Sequence, residues 1–357
     1  MELYPLFFYP QHIEKIWGGK KLADLYNRKL PANNIGESWE ISGRPEANSR
    51  IQNGPLQDIK LSRAISRFGS RILGSQSSGQ KEEDDFPLLF KIIAPKYRLS
   101  VQVHPDEKMA STCKKAESKM EMWYVLEAEP GAKIIYGLED PEISAQRVIK
   151  AAERDQLENL LNYQQISQGD TIFIAPGMVH ALLPGAVIAE IQHNSDTTYR
   201  LYDWNRDLTQ DCQRPLHLQK AKKALAPDLK PNTAPYHPEF YSGKNKWKLL
   251  SLCRDFTAYK INIKNQEILQ PQKLRSFMIL FCHQGKLLLN YRDHKYKLSQ
   301  GSSCLLPAEL SQVEITGRAE ILLYHRGYNK SEFRNLLEKQ GISAAQFTKI
   351  PGVRHGY

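Results

Sequence analysis

Apolar and polar residues alternate through Leu99-Ser100-Val101-Gln102-Val103-His104, the period of a half-buried strand. Val101 and Val103 then point into a hydrophobic layer, and Gln102 and His104 share the other face. A second run, Thr171-Ile172-Phe173-Ile174-Ala175, opens at Gly169-Asp170 and is β-branched and aromatic until Pro176-Gly177 stops it. His180 follows that turn. Helical spacing is rarer. Ile59, Leu61, Ala64, Ile65 and Phe68 fall on one helical face within 58–68, and Ile143, Val148, Ile149, Ala152, Leu157 and Leu160 predict one broken or two short helices within 141–161, packed beside a sheet. Short helices are also expected near Leu216 to Leu225 and from Ser331 to Lys339. Gly74 to Gln80 and the acidic Glu82 to Asp85 read as a flexible surface loop.

The strand pattern occurs twice. Gly169 is followed by Ala175, Pro176, Gly177 and His180; Gly301 is followed at the same offsets by Pro307, Ala308, Glu309 and Gln312. Upstream, Phe277 to Phe281 before His283-Gln284-Gly285 echoes Met122 to Leu126 before Pro130-Gly131. Short strands with regularly spaced turns, repeated, predict a mainly β chain of two jelly-roll barrels with a few short helices, a class that includes the cupins. At 357 residues the chain exceeds what one core usually serves. The expected division is an N-terminal domain over 1–210, a proline-bearing connection over 211–246, a second barrel over 247–328, and a C-terminal helix and tail over 329–357. Gln312 stands in the histidine's place, so the first barrel is expected to bind metal and the second to have lost it.

Charge narrows the partners. The net charge of +10 comes from Lys and Arg spread along the chain, not bunched in a stripe with interleaved aromatics, which argues against nucleic acid and for a small anionic substrate. No apolar stretch approaches the roughly 18 residues of a membrane helix, and Met1-Glu2-Leu3-Tyr4-Pro5 lacks a signal peptide's regions, so a cytoplasmic protein without a membrane partner is expected. The five cysteines are scattered and never in Cys-x-x-Cys spacing, implying neither a disulfide framework nor a cysteine metal site.

The chemistry concentrates in three residues. Imidazole and carboxylate are preferred zinc ligands, and His104, Glu121 and His180 supply about the number a catalytic site needs. Either histidine alone reads equally as a satisfied core or surface residue; the set does not. Glu190 alternates with Ala189 and Ile191 and so faces the barrel interior, where a carboxylate is costly unless paired or working. Lys91 ends an apolar run and reads also as a snorkelling strand end, while Lys119 and Arg200 read also as partners of nearby acids. Trp17 and Trp39 read as core or pocket wall.

Several segments together carry a resemblance: Ile16-Trp17-Gly18-Gly19-Lys20-Lys21-Leu22, Gly36-Glu37-Ser38-Trp39-Glu40-Ile41-Ser42, Pro87-Leu88-Leu89-Phe90-Lys91, Leu99 to Asp106, Lys119-Met120-Glu121-Met122-Trp123-Tyr124, Pro176-Gly177-Met178-Val179-His180-Ala181, and Asn194 to Arg200. From about Pro5 to Arg326 the chain resembles the type I mannose-6-phosphate isomerases (phosphomannose isomerases) of the shorter bacterial form. The resemblance implies one zinc ion held by Gln102, His104, Glu121 and His180, and an active-site role for Arg200. It implies interconversion of mannose 6-phosphate and fructose 6-phosphate through an enediol, which needs a base and positive charge near the developing oxyanion. Lys91, Lys119 and Arg200 are the cationic candidates, Ser100 a further donor to substrate, and Glu190 the preferred base, with His104 or a metal-bound water as competitors. Ala175 departs from the first proline of many cupins. Two other readings are a two-cupin iron oxygenase and a non-catalytic sugar-binding bicupin. A monomer or homodimer is expected, and His355 in the tail has no evident role.

Overall fold

The computed structural model describes residues 1–75, 85–113, 116–206, 214–327 and 330–354. Residues 76–84 of the loop expected over Gly74 to Gln80 and Glu82 to Asp85, together with Cys212, His355 and the division points at 210 and 328, lie outside these residues. The chain is mainly β, with its described strands in three sheets and short helices between them. No described helix is long and apolar enough to cross a membrane. Contacts group the chain into two compact units built from interleaved segments, one of residues 12–38 and 91–233, the other of 1–11, 39–90 and 234–357.

The first unit holds an antiparallel five-stranded sheet in the order Tyr199–Tyr202, Val101–Val103, His180–Leu182, Lys133–Leu138, Leu161–Gln165. Another sheet runs in the order Thr171–Ile174, Glu121–Ala128, Ala186–His193, and continues through Leu88–Ile93, Ile35–Ser42 and Gln11–Gly19. Strands of both sheets feed one buried core: Ile134, Tyr136 and Leu182 from the first, Trp123, Val125, Ile172, Ile174 and Ile188 from the second. Val101 and Val103 face the other way, into a layer with Val148, Ile149 and Ala152 of the helix Ala145–Glu153 and Ala221 of the helix Leu218–Ala224. The period-2 alternation has the consequence expected of it, because valines on the outer face leave the inner face to Gln102 and His104.

The 141–161 region is two short helical pieces. Ser144 caps the first, its hydroxyl accepting from the Arg147 N–H, and a 3-10 turn follows at Leu157–Leu160. In the 58–68 region the helix begins only at Leu61. Asp58 has φ +65, a left-handed backbone no helix continues through, and the Ile59 carbonyl accepts from the Ile51 N–H at 3.0 Å instead of opening the helix.

The second unit holds a ten-stranded sheet whose central path is Glu239–Ser242, Asn245–Leu252, Thr257–Ile263, Val313–His325, Met278–Tyr291, Ser303–Leu306, Leu6–Tyr9, Arg50–Ile51. Gln266–Leu269 and His294–Ser299 pair with its two longest strands. The helix Lys330–Lys339 follows.

The internal repeat extends to individual hydrogen bonds. Gly169 (φ +90) gives its N–H to Val125, and Val125 gives its own to Asp170. Likewise Gly301 (φ +73) donates to Cys282, and Cys282 to Ser302. The turns after the strands also match: Met178 donates to Ala175, Leu310 to Pro307. Both glycines sit where a Cβ is disfavoured.

Candidate metal centre

Register sets the site. Gln102 lies directly across the five-stranded sheet from Arg200 on one side and His180 on the other, and His180 lies opposite Tyr136. In the facing sheet Glu121 pairs with Gln192, and Trp123 with Glu190. Side chains two apart on a strand share a face, so one sheet presents Gln102 and His180 and the other Glu121, Trp123, Glu190 and Gln192. His104 comes just after its strand, where its carbonyl accepts from the Gly177 N–H at 2.9 Å and ties it to the Pro176-Gly177 turn.

Four side chains converge. His104 Nε2 lies 3.4 Å from Glu121 Oε2, His180 Nε2 lies 3.4 Å from Glu121 Oε1, and the Gln102 amide is 3.1 Å from His180 Nε2. The ligand atoms of His104, Glu121 and His180 all fall within 4.8 Å of one another, and the three residues are buried. Each imidazole is oriented from behind: His104 Nδ1–H donates to the Thr197 carbonyl at 3.0 Å, and His180 Nδ1–H to the Met178 carbonyl at 2.9 Å. Both Nε2 lone pairs therefore point inward.

Electrostatics favour the forms that bind cations. Burial, then the Lys119 ammonium, pushes the His104 pKa down to about 3. Burial likewise lowers that of His180. Burial alone would raise Glu121, but Lys119, whose Nζ is 3.1 Å from Oε2, and the two imidazoles outweigh it and hold the carboxyl well below its usual range. Two neutral imidazoles and a carboxylate thus aim lone pairs at one point; Lys119 serves Glu121 Oε2, while Glu121 Oε1 and His104 Nε2 are buried without a hydrogen-bond donor. Such acceptors repel unless a cation sits among them. Ligands about 2 Å from a tetrahedral ion lie about 3.4 Å from each other. The donor set therefore fits a divalent metal, and a half-turn of the Gln102 amide presents its oxygen to the same point.

Residues 6–131 match the family model described as phosphomannose isomerase type I, catalytic domain, and residues 245–326 match that of the mannose-6-phosphate isomerase cupin domain. Mannose-6-phosphate isomerase ManA of Bacillus subtilis is 32% identical over 326 residues, covering 91% of this chain and 100% of that protein. The chain belongs to the type I phosphomannose isomerase family. A mannose-6-phosphate isomerase of Streptococcus mutans is also 32% identical, over 90% of this chain and 98% of its own length. The crystal structure of mannose 6-phosphate isomerase from Bacillus subtilis superposes with a TM-score of 0.82 at 30% identity, over 90% of this chain and all of that one.

Around the metal ligands this phosphomannose isomerase family member carries a second buried cluster. Lys91 is only 5% exposed; its Nζ is 3.1 Å from Glu190 Oε1 and 4.0 Å from Glu37 Oε2, and Lys15 reaches Glu37 Oε1 at 3.4 Å. The Trp123 indole N–H donates to Glu190 Oε2 at 2.7 Å. Burial would strip the Lys91 proton, yet Glu190 and then Glu37 outweigh it and raise the pKa. Burial and then the Glu121 charge raise that of Glu190. Lys91 is therefore paired within the fold, not a snorkelling strand end.

The other two expected site residues lie at its margin. Ser100 is buried one residue before its strand. Arg200 is half-buried and donates from Nη1 to the Pro215 carbonyl at 2.9 Å, with burial and then Arg214 lowering its pKa. Sequence reasoning missed Glu37 and the indole of Trp123. Trp123 was reachable, since it shares the alternation of Glu121; the partnership of Glu37 with Lys91 had no local signal.

Proposed function

We propose that this protein is a zinc-dependent aldose–ketose isomerase that interconverts mannose 6-phosphate and fructose 6-phosphate through an enediol intermediate. The observation that carries the reading is the convergence of the buried His104, Glu121 and His180 donor atoms, with no donor to Glu121 Oε1, beside a second carboxylate that is not part of the set. Family membership supplies the reaction, and the relatives' names supply the sugar phosphate.

One zinc ion on Gln102, His104, Glu121 and His180 would polarise substrate oxygens. The remaining work falls to side chains of this chain. Moving a proton between adjacent carbons needs a base whose pKa lies nearer neutrality than an exposed carboxylate's, and Glu190 meets that condition through burial and the Glu121 charge. Lys91 and Trp123 hold one oxygen each of the Glu190 carboxylate, which fixes its position. Lys119 balances Glu121 and would donate to an oxygen of the substrate. Arg200 and Ser100 border the same face and serve as donors to the substrate anion, with Lys91 maintaining positive potential beneath it.

A coupled assay with mannose 6-phosphate tests the reading. Activity should disappear on chelation and return with zinc. Full activity in thoroughly stripped protein would overturn the metal dependence, and turnover of no aldose phosphate would overturn the isomerase reading itself.

A further inference from the structure

The strand Tyr199–Tyr202 lies at the edge of its sheet, with Val101–Val103 on one side and no described strand on the other. Arg200, directly across from Gln102 on the inner side, turns its backbone N–H and carbonyl to the outer one. Both groups go to a single residue. The His217 N–H donates to the Arg200 carbonyl at 2.8 Å, and the Arg200 N–H donates to His217 Nδ1 at 3.2 Å. A neighbouring strand would offer a backbone carbonyl for the second bond. His217 cannot, because it opens the helix Leu218–Ala224 and its carbonyl already accepts from the Ala221 N–H at 2.8 Å. Its side chain takes the carbonyl's place. The side chain at a helix's first position ordinarily turns to the helix's own N–H groups, and this one makes no such bond.

The surrounding residues hold His217 to that task. Arg214 donates to both Asp203 oxygens, at 3.1 and 2.6 Å, and the Pro215 carbonyl accepts from Arg200 Nη1 at 2.9 Å. Beyond His217, Ala221 is buried in the layer of Val101 and Val103. The segment is thus fastened on both sides of the imidazole. The Tyr199 ring meets that imidazole edge to face, with centroids 6.3 Å apart. Burial, then the Arg200 and Lys220 charges, lowers the His217 pKa and so favours the neutral ring whose Nδ1 accepts. Arg200 is therefore gripped at its N–H, its carbonyl and its guanidinium by Pro215 and His217. We infer that His217 is a positioning residue for Arg200: its Nδ1 stands in for a missing strand at the edge residue that meets the substrate, and so fixes where the guanidinium points. The inference rests on the role given to Arg200 above, but the contact it depends on can be read without turnover.

Two measurements on the full-length, zinc-loaded protein test it. Amide exchange followed by NMR reads the contact. The Arg200 N–H should exchange at least about 100-fold more slowly than an open amide, lose about tenfold of that protection in His217→Ala, and recover it in His217→Asn, whose side-chain oxygen stands near the position of Nδ1. Kinetics with mannose 6-phosphate read the consequence. His217→Ala should lower kcat/KM about tenfold in the parent but less than about twofold in an Arg200→Ala background, and His217→Asn should stay within about threefold of the parent. A residue that only stabilises the fold would lower both backgrounds alike. Equal losses in the two backgrounds, no rescue by asparagine, an open Arg200 amide in the unsubstituted protein, or an Arg200→Ala enzyme as active as the parent would each overturn the proposal, and the last of these leaves the isomerase reading standing. If no aldose phosphate is turned over, that reading falls and amide exchange decides this one. Should His217→Ala fail to fold, the unsubstituted amide and the asparagine variant decide it.

Discussion

The hairpin around Gly169 and the hairpin around Gly301 have the same backbone and opposite chemistry. In both, a positive-φ glycine and a polar residue after it close the same pair of hydrogen bonds to the neighbouring strand, and the same tight turn ends the run. Yet Glu121 in one register is Met278 in the other, Glu190 is Leu323, Gln192 is His325, and His180 is Gln312. The lesson is that glycine and turn residues carry the architecture, while the side chains at these four positions set the chemistry of its interior.

Substituting one unit's residue into the other gives the sharpest test. His180→Gln, which places the Gln312 side-chain type at the metal centre, should lower kcat/KM by about 1,000-fold, since even indirect supports of ligands cost 10–100-fold. Bound zinc by elemental analysis should fall with it, while the melting temperature of the metal-free protein changes little. Activity within tenfold of the parent would show that the comparison misplaces the difference.

The histidine that stands in Gln192's place yields a stability effect instead. His325 is held near a pKa of about 4, against about 6.5 when unfolded. Between those values the unfolded chain binds a proton that the folded chain refuses, so stability falls as pH drops from about 6.5 to 4, by at most about 3.4 kcal/mol from this group. Urea melts across that window should show a shallower pH slope in His325→Leu. An identical slope would remove His325 as a source.

Removing the donor behind the second carboxylate should cost less. Trp123→Phe leaves Glu190 with Lys91 alone, and kcat should fall about tenfold with KM nearly constant, the mark of a residue that positions the base and does not bind substrate. Smallest of all, Gly169→Ala and Gly301→Ala should each destabilise by about 1–2 kcal/mol, the cost of a left-handed backbone at a residue with Cβ. Equal losses in thermal denaturation would support the equivalence of the two hairpins; a cost at only one would break it.

Much of the ligand set was legible in the sequence because strand alternation assigns faces directly: Gln102 with His104 inward, Val101 with Val103 outward, Glu190 inward among apolar neighbours. The glycine repeat was equally legible. What alternation cannot supply is which strands lie side by side. The Lys91–Glu37 contact depends on strands some fifty residues apart coming together, and Leu6–Tyr9 pairs with Ser303–Leu306 across nearly the whole chain. The start of the 58–68 helix was obscured for a different reason: Ile59 fits the helical stripe, but Asp58 takes a left-handed backbone and the Ile59 carbonyl is spent on Ile51.

The short strand Val101–Val103, set between His180 and Arg200, makes chain length itself a functional property. One residue inserted between Leu99 and Val101 would exchange the two faces of the strand after it, turning Val101 and Val103 toward the donors and burying Gln102 and His104 beneath the helices. Insertions and deletions should therefore be tolerated in the connections and lethal to activity here, although no single side chain would have been altered.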